Sequence, residues 1–280
     1  TAILAPDLYL ASDGIRLAAM VSGARFPDRF FGVESGERLA DEERYTPVYT
    51  EAEISPQLRV LRDQYLYVGP DVRYQYADIV ERTPGGLLDR RVVTGADGGH
   101  TIQYGARAYW DMRDSTLYPR RGALVEVVWL GGHEALGSDF SFTRARLEGR
   151  RYVAGPFAGH VLALQGVVEA RTGSAPFYDL GMLGGSRLLR GHFKGKHRDA
   201  QLGAVQVEYR LPVVWRFGAV VFAGVGTVVP AFDEIPSAKP YAAAGGGVRF
   251  APSKKAPVNV RLDVAYGDEP RFYLDVGEAF

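Results

Sequence analysis

Hydrophobic and polar residues alternate along most of this chain, and helical periodicity is nearly absent. In AVQVEYRL, residues 204–211, the polar residues Gln206, Glu208 and Arg210 alternate with apolar or aromatic ones. The same alternation recurs in VNVRLDVAY (258–266) and RFYLDVGEAF (271–280). Side chains point to opposite faces at successive positions of a strand, so a period of two predicts β-strands with one apolar and one charged face.

The alternation predicts an all-β protein of about twelve strands, separated by short turns and longer polar loops. The predicted strands cover residues 14–25, 46–61, 64–80, 99–113, 121–133, 139–153, 156–171, 201–213, 217–229, 240–251, 257–267 and 270–280. We assign residues 14–280 to this strand domain. Residues 1–13 form a separate N-terminal segment with three open alternatives: an extra strand, a remnant of a larger sheet, or a plug inside the fold.

Two architectures can bury strands of this kind. A soluble sandwich or lipocalin-like barrel turns its apolar faces inward, whereas a transmembrane barrel turns them toward lipid and its charged faces toward the lumen. Three features favour the transmembrane antiparallel β-barrel. The strands are long enough for a tilted crossing of about 9–11 residues, the charged faces carry both signs, and the apolar faces often end in aromatic residues such as Trp110 and Trp129.

Composition restricts the function without naming it. The formal net charge is zero over 280 residues, which argues against a general binder of nucleic acid or other polyanions. The absence of cysteine excludes a disulfide framework, a thiolate metal site and a cysteine nucleophile. No stretch approaches the roughly 18 uninterrupted apolar residues of a membrane-spanning helix, so any crossing of the membrane is expected to use strands.

The five histidines give no recognisable catalytic or metal motif. His192 and His197 lie five apart in a polar loop without the H-E-x-x-H pattern of a zinc-binding helix. An enzyme would need a histidine paired with an acid, and only chance pairings, His133 with Asp139 or His100 with Asp97, are suggested by the sequence. We therefore expect a non-enzymatic protein with no catalytic residue, no metal and no cofactor.

One long block is more specific than the alternation. GGSRLLRGHFKGKHRDAQLGAVQVEYRLPV (184–213), followed by GAVVFAGVGTV (218–228), resembles the C-terminal barrel of the BamA/TamA superfamily of outer-membrane assembly proteins, the bacterial surface antigen type. DMRDSTLYPRRG (111–122) and FPDRFFG (26–32) are similar to further family blocks. The matching blocks extend from about residue 14 to the end. The resemblance implies an integral protein of the bacterial outer membrane, in contact with membrane lipids and lipopolysaccharide.

The resemblance also implies a role for the basic stretch at 188–199. In that family a long loop folds back into the lumen and its arginine contacts the inner wall. Here Arg190 would pair with Glu208, and Gly191 would allow the sharp turn behind it. Many members carry an aspartate where this chain has Gly224, so Asp263 is the alternative partner. Without the resemblance, the same stretch would be interpreted as a solvated extracellular loop.

Two further groups of residues follow from this interpretation. The charged strand faces predict ion pairs in the lumen, formed by Asp111, Arg113, Arg144, Arg146, Glu148 and Arg261. The resemblance implies a weak seam between strands 14–25 and 270–280, formed by Ala18, Ser22, Gly277 and Phe280.

The implied function is to assist insertion or translocation of proteins through such a lateral seam. The chain resembles a reduced family member without the periplasmic POTRA modules, which would act on substrate outer-membrane or secreted proteins, alone or with a separate periplasmic partner. The alternative is a passive pore or export conduit.

Overall fold

The computed structural model describes residues 2–36, 38–61, 64–253 and 258–280, with backbone alone at 38–41. Its strands are β1 (Ala2–Leu4), β2 (Asp7–Leu10), β3 (Ile15–Arg25), β4 (Asp28–Gly32), β5 (Arg38–Leu61), β6 (Leu66–Arg82), β7 (Gly98–Asp111), β8 (Gly122–Gly132), β9 (Phe142–Ala154), β10 (Val161–Gly173), β11 (Gly181–Met182), β12 (Arg198–Asp199), β13 (Gln201–Val214), β14 (Phe217–Val229), β15 (Tyr241–Phe250), β16 (Val260–Tyr266) and β17 (Pro270–Val276). Short 3₁₀ helices cover Glu134–Leu136, Phe177–Asp179 and Phe232–Ser237. Among the described residues, no helix is long and apolar enough to cross a membrane.

The long strands form one antiparallel sheet in which each strand pairs with its neighbours in the chain. The order is β3-β5-β6-β7-β8-β9-β10-β13-β14-β15-β16-β17, with β4 added to β5. β11 and β12 form a separate two-stranded sheet within the loop between β10 and β13. The predicted all-β class and the path of twelve antiparallel strands are confirmed, and up-and-down pairing of this kind is the topology of an outer-membrane barrel.

Several boundaries differ from the prediction, among them the end of the last strand, which lies at Val276 rather than at residue 280. β10 begins at Val161 rather than at residue 156, because Gly155 N–H donates to the His160 carbonyl (2.7 Å) and closes a turn there. The polar stretch 26–45 was predicted as a loop, but β4 pairs with the first part of β5 and extends the sheet beyond β3. Burial explains this extension, since Phe30 and Tyr45 of the hairpin pack with Phe177.

The two faces of the strands have the polarity of a membrane barrel. In β16, Arg261 and Asp263 are completely buried, whereas Leu262 and Val264 are each 45% exposed. In β13, Glu208 is completely buried and Val205 is 58% exposed. A soluble barrel would show the opposite arrangement. The apolar side chains on the outside are therefore suited to contact with lipid, and the charged ones line the interior.

The N-terminal segment lies along the free edge of β3. Ala2–Leu4 pairs with residues 21–23 and Asp7–Leu10 with residues 15–18, with a bend between them at which Pro6 accepts a hydrogen bond from Ala19 N–H (3.0 Å). Proline lacks an N–H and commonly interrupts a strand in this way. In the described part of the chain, β1 and β2 form one edge of the sheet and β17, which pairs with β16 alone, forms the other.

A charge on the outer face should destabilise the protein in a membrane. Val221 of β14 is 57% exposed, and arginine there would have to enter the hydrocarbon region. We expect Val221→Arg to lower the free energy of unfolding by about 2–4 kcal/mol, measured by chemical denaturation in lipid vesicles. Val221→Leu is the matched control and should unfold like the unmodified protein. Equal stability of the arginine and leucine variants would contradict the assignment of this face to lipid.

Candidate functional site in the barrel interior

The loop between β10 and β13, residues 174–200, folds back into the space enclosed by the sheet. It is held together by its own backbone, since Leu183 N–H donates to the His197 carbonyl (3.0 Å) and Gly195 N–H to the Leu183 carbonyl (3.0 Å). The end of the loop also binds the β4–β5 turn. Ser35 donates to the Asp199 carboxylate through its backbone N–H (2.7 Å) and through its hydroxyl (3.0 Å).

Arg190 is the residue that joins the tip of this loop to the barrel wall. Its guanidinium donates to Glu208 Oε2 (2.6 Å) and to Asp263 Oδ2 (2.6 Å), and its central carbon lies 3.5 Å from the centroid of the Phe222 ring. Arg190 is 1% exposed, and both carboxylates are completely buried. The sequence offered Glu208 or Asp263 as the partner, and the structure brings Arg190 to both.

Three wall arginines also donate to these carboxylates. Arg210 Nε donates to Glu208 Oε1 (2.7 Å), and Arg249 Nη1 donates to Asp263 Oδ1 (2.5 Å). Arg261 Nη1 donates to Asp263 Oδ2 (3.0 Å), and its other Nη donates to the Ser186 carbonyl of the loop (2.9 Å). Isolated buried charges are costly, so charge-assisted hydrogen bonds on both sides are what make this arrangement tolerable. We call these residues, Arg190, Glu208, Arg210, Arg249, Arg261 and Asp263, the anchor network.

The backbone around Arg190 needs special residues. Gly191 has φ +117°, and a Cβ there would lie 2.7 Å from the backbone of Tyr266 and Gly267. Leu189 also adopts a left-handed conformation, φ +53°, with its N–H donating to Gln206 Oε1 (3.0 Å). A Cβ at Gly224 would lie 3.1 Å from Leu189 Cδ1. The same Cβ would lie 2.8 Å from Gln206 Cβ, so a larger residue at this position would crowd the wall beneath the loop.

Residues 277–280 turn into the interior and join the anchor network. Gly277 has φ +89°, which directs the backbone away from the line of β17. Glu278 then accepts from Arg249 Nε (2.8 Å) and from Asn259 Nδ2 (2.6 Å), and the Phe280 carbonyl accepts from Arg210 Nη2 (2.8 Å). The buried Phe280 belongs to the apolar cluster of β9 and β10 that contains Tyr152 and Val161.

A second charged group is centred on Asp179 in the loop. Its carboxylate accepts from Arg73 Nη1 (2.7 Å) and from Arg144 Nη1 (3.5 Å), and its backbone carbonyl accepts from Arg171 Nε (2.7 Å). Burial opposes ionisation, but the charges of these arginines, Arg73 first, hold the pKa of the Asp179 carboxyl below its ordinary value. The loop therefore places the positive charge of Arg190 against one part of the wall and the negative charge of Asp179 against another.

The other predicted lumen residues also have charged partners. Asp111 and Arg113 pair with each other at 2.7 Å, at the end of β7. Arg146 bonds to Glu148 at 2.5 Å and also to Glu169. The prediction missed Glu169, Arg210, Arg249 and Glu278 as partners, although Arg210 alternates with Glu208 in its strand and could have been found by that signal. Asp179 has no such signal, because it lies in a loop.

The predicted seam residues occupy different parts of the structure. Ala18 and Ser22 lie within β3, where both edges of the strand are paired, on one side with β5 and on the other with β2 and β1. Gly277 and Phe280 follow β17 and turn inward as described above. The structure therefore does not bring these two pairs together, and their role in a seam stays a prediction.

The histidine–acid pairs differ from those considered from sequence. His100 Nδ1 lies 3.0 Å from Asp139 Oδ2, rather than near Asp97. His133 accepts a hydrogen bond from Ala135 N–H (3.1 Å) and so caps the first 3₁₀ helix. Neither arrangement has the nucleophile, base and orienting acid of a hydrolytic site.

Comparison with known proteins agrees with this geometry. The sequence profile described as the Omp85 superfamily domain matches residues 12–280. The chain belongs to the Omp85 superfamily. The Omp85 fold is also seen in BamA from Haemophilus ducreyi lacking POTRA domains 1–3, with 13% identity, a TM-score of 0.63, and coverage of 98% of this chain and 60% of that one.

A second similar structure is CdiB from Acinetobacter baumannii, with 12% identity and a TM-score of 0.58. The match covers 94% of this chain and 46% of that one. At these identities the likeness shows the fold alone. This Omp85 chain spans 60% of the length of the BamA chain and 46% of the length of the CdiB chain. No curated protein matches the sequence. The resemblance to BamA-type barrels is thus confirmed at the level of family and fold.

Loss of the Arg190 charge should destabilise the protein strongly. Arg190→Met keeps an apolar stem of similar length but removes the charge-assisted hydrogen bonds that the loop donates to the buried Glu208 and Asp263 carboxylates. We expect a loss of about 3–5 kcal/mol in the free energy of unfolding, measured by chemical denaturation in detergent or vesicles. Arg187→Met removes an exposed arginine of the same loop and should change stability by less than about 0.5 kcal/mol. Similar losses in both variants would contradict the anchor role.

Proposed function

We propose that this Omp85 barrel assists the insertion or translocation of proteins at the outer membrane through a lateral seam between the two edges of its sheet. The edges are β17 on one side and β1–β2 on the other. The sequence predicted a seam between β17 and the strand at 14–25, which is β3. Residues 2–10 cover that edge of β3, so β1–β2 takes the place of β3 in this proposal. The observation that supports it most directly is the short last strand, which pairs with β16 alone among the described strands.

An edge strand in lipid is unfavourable, because its outer backbone groups lack hydrogen-bond partners. Each backbone N–H or C=O without a partner in hydrocarbon costs several kcal/mol, so an unpaired edge favours pairing with an incoming strand. Phe272, Leu274 and Val276 of β17 are 73%, 76% and 64% exposed, and their side chains provide an apolar border on that edge. The inward turn at Gly277 ends the strand at this point. A strand that is short and bordered by apolar side chains is suited to exchange partners within a membrane.

The contacts between the loop and the anchor network support a mechanism in which the loop stays in the barrel interior while the protein acts. Arg261 joins the Asp275 carboxylate of β17 (2.8 Å) to the loop carbonyl of Ser186 (2.9 Å). The last strand is thereby held from inside while its outer edge is left for pairing. In such a barrel, substrate strands would enter at the seam rather than through the centre.

Substrates and partners are part of the same proposal. BamA and CdiB are similar to this chain in fold. We propose that unfolded outer-membrane or secreted proteins are the substrates, and that a separate periplasmic partner delivers them. Lipids and lipopolysaccharide would contact the exposed apolar face.

A crosslink across the seam should abolish activity. The chain lacks cysteine, so a bismaleimide reacts only at the introduced thiols of Leu8→Cys in β2 and Leu274→Cys in β17, both of which are exposed. We expect the crosslinked barrel in vesicles to lose its acceleration of the folding of a small outer-membrane barrel protein, detected by the electrophoretic mobility shift of folded barrels. The uncrosslinked double variant should keep this activity.

The matched control joins two strands that are already paired. Leu262 of β16 lies directly opposite Leu274 of β17, so cysteines at these positions should crosslink without affecting activity. Full activity of the Leu8–Leu274 crosslinked form would contradict the seam.

A passive pore is the alternative, and it predicts a different measurement. The folded-back loop and its paired charges favour a small single-channel current in planar bilayers. A large steady current that persists in the crosslinked form would favour the pore instead.

A further inference from the structure

Three side chains that could bind a metal ion, from two separate segments of the chain, lie close together near the tip of the loop. His192 and His197 belong to the folded-back loop, and Asp268 belongs to the turn between β16 and β17. His192 Nδ1 lies 3.1 Å from Asp268 Oδ2, and His197 Nε2 lies 3.2 Å from the same oxygen. The backbone holds this turn against the loop, since Asp268 N–H donates to the Gly191 carbonyl (3.2 Å).

These spacings match the requirements of a small transition-metal ion. Zinc binds histidine nitrogen and carboxylate oxygen at about 2.0–2.2 Å in tetrahedral geometry, which places neighbouring ligand atoms about 3.3 Å apart. Two of the three spacings are already close to this value. The three ligand atoms all lie within 4.8 Å of one another, so binding needs at most a small inward shift of one ring. A set of two histidines and one carboxylate leaves a fourth position for water.

The orientation of His192 supports a ligand role for its Nδ1 atom. Its Nε2 lies 3.0 Å from the Ala242 carbonyl, which accepts only if Nε2 carries the proton. Nδ1 faces the Asp268 oxygen at 3.1 Å, a position that a proton fills in the charged ring and that a metal ion would fill in the neutral one. His192 is 2% exposed, and its Nδ1 makes no hydrogen bond in the described structure. A backbone carbonyl on the opposite nitrogen is the usual arrangement around a metal-binding histidine.

The surroundings of the other two ligands are also suitable. The His197 ring stacks on Tyr241 with the centroids 3.7 Å apart, and its Nδ1 lies 3.6 Å from Glu34 Oε2. The Asp268 side chain is 20% exposed, which leaves an entry path.

Lys196 is the competing cation at this position. Its Nζ lies 3.2 Å from Asp268 Oδ2, and its side chain is 31% exposed. The lysine can move into solvent without breaking a buried contact. Its charge would repel a metal ion, so it should weaken binding without preventing it.

We propose that His192, His197 and Asp268 form a binding site for a divalent transition-metal cation of the Zn²⁺ class. The bound ion would crosslink the folded-back loop to the β16–β17 turn at the outer rim. The ion would hold the turn between β16 and β17, while the anchor network holds β16 through Arg261 and Asp263. The proposal does not depend on the seam, because metal binding is measured without protein insertion.

Zn²⁺ binding to the purified barrel in detergent tests this site directly. The protein should carry no histidine tag, and Zn²⁺ is titrated at pH 7.5 in competition with a chromophoric chelator. We expect one ion per chain and a higher melting temperature with the ion. His192→Ala, His197→Ala and Asp268→Asn should each weaken binding at least tenfold, whereas Lys196→Met should strengthen it several-fold.

The control is a second histidine–acid pair. His100 lies 3.0 Å from Asp139 in a different loop, so His100→Ala removes a similar pair and should leave the affinity unchanged. Heat-dependent electrophoretic mobility shows that each variant is folded. No stoichiometric binding by the unmodified protein would overturn the proposal, as would equal binding by the three ligand variants or weaker binding by Lys196→Met.

Discussion

The neutralisation of buried charge inside the barrel is the constraint on which the structure depends. A wall whose apolar side chains face outward must turn its charged ones inward, and an unpaired buried ion costs several kcal/mol. Glu208 and Asp263 each contact more than one arginine, and one of these, Arg190, comes from the loop. The wall and the loop are therefore one electrostatic unit, joined through Arg190.

This constraint determines how the loop is built. Arg190 reaches the wall only because Leu189 adopts a left-handed conformation and Gly191 passes within contact distance of Tyr266. Strain of this kind costs about 1–3 kcal/mol and persists where surrounding contacts outweigh it. Two charge-assisted hydrogen bonds and the Phe222 ring supply those contacts. The same loop lies in the barrel interior, so the pairing of the buried charges and the position of the loop have one cause.

The loop also connects functional parts that are distant in sequence. Through Arg261 it reaches Asp275 of the last strand, and through Arg210 and Arg249 it reaches residues 278–280. At the outer rim, His192 and His197 of the loop face the Asp268 turn. The loop thus contacts the final hairpin both along β16 and β17 and at the turn between them.

The sequence by itself determined the strands, their two faces and the family, because strand side chains alternate strictly and each face has a single environment. The RG block at 190–191 also indicated an inserted loop, with both eventual partners of Arg190 among its candidates. Only the tertiary structure decided that residues 2–10 cover the free edge of β3, that Asp179 serves the opposite wall, and that Asp268 joins two loop histidines. Those contacts join residues dozens of positions apart across connections of irregular shape. Periodicity carries no information about where such connections lead, since backbone curvature and the shape of the enclosed space determine their paths.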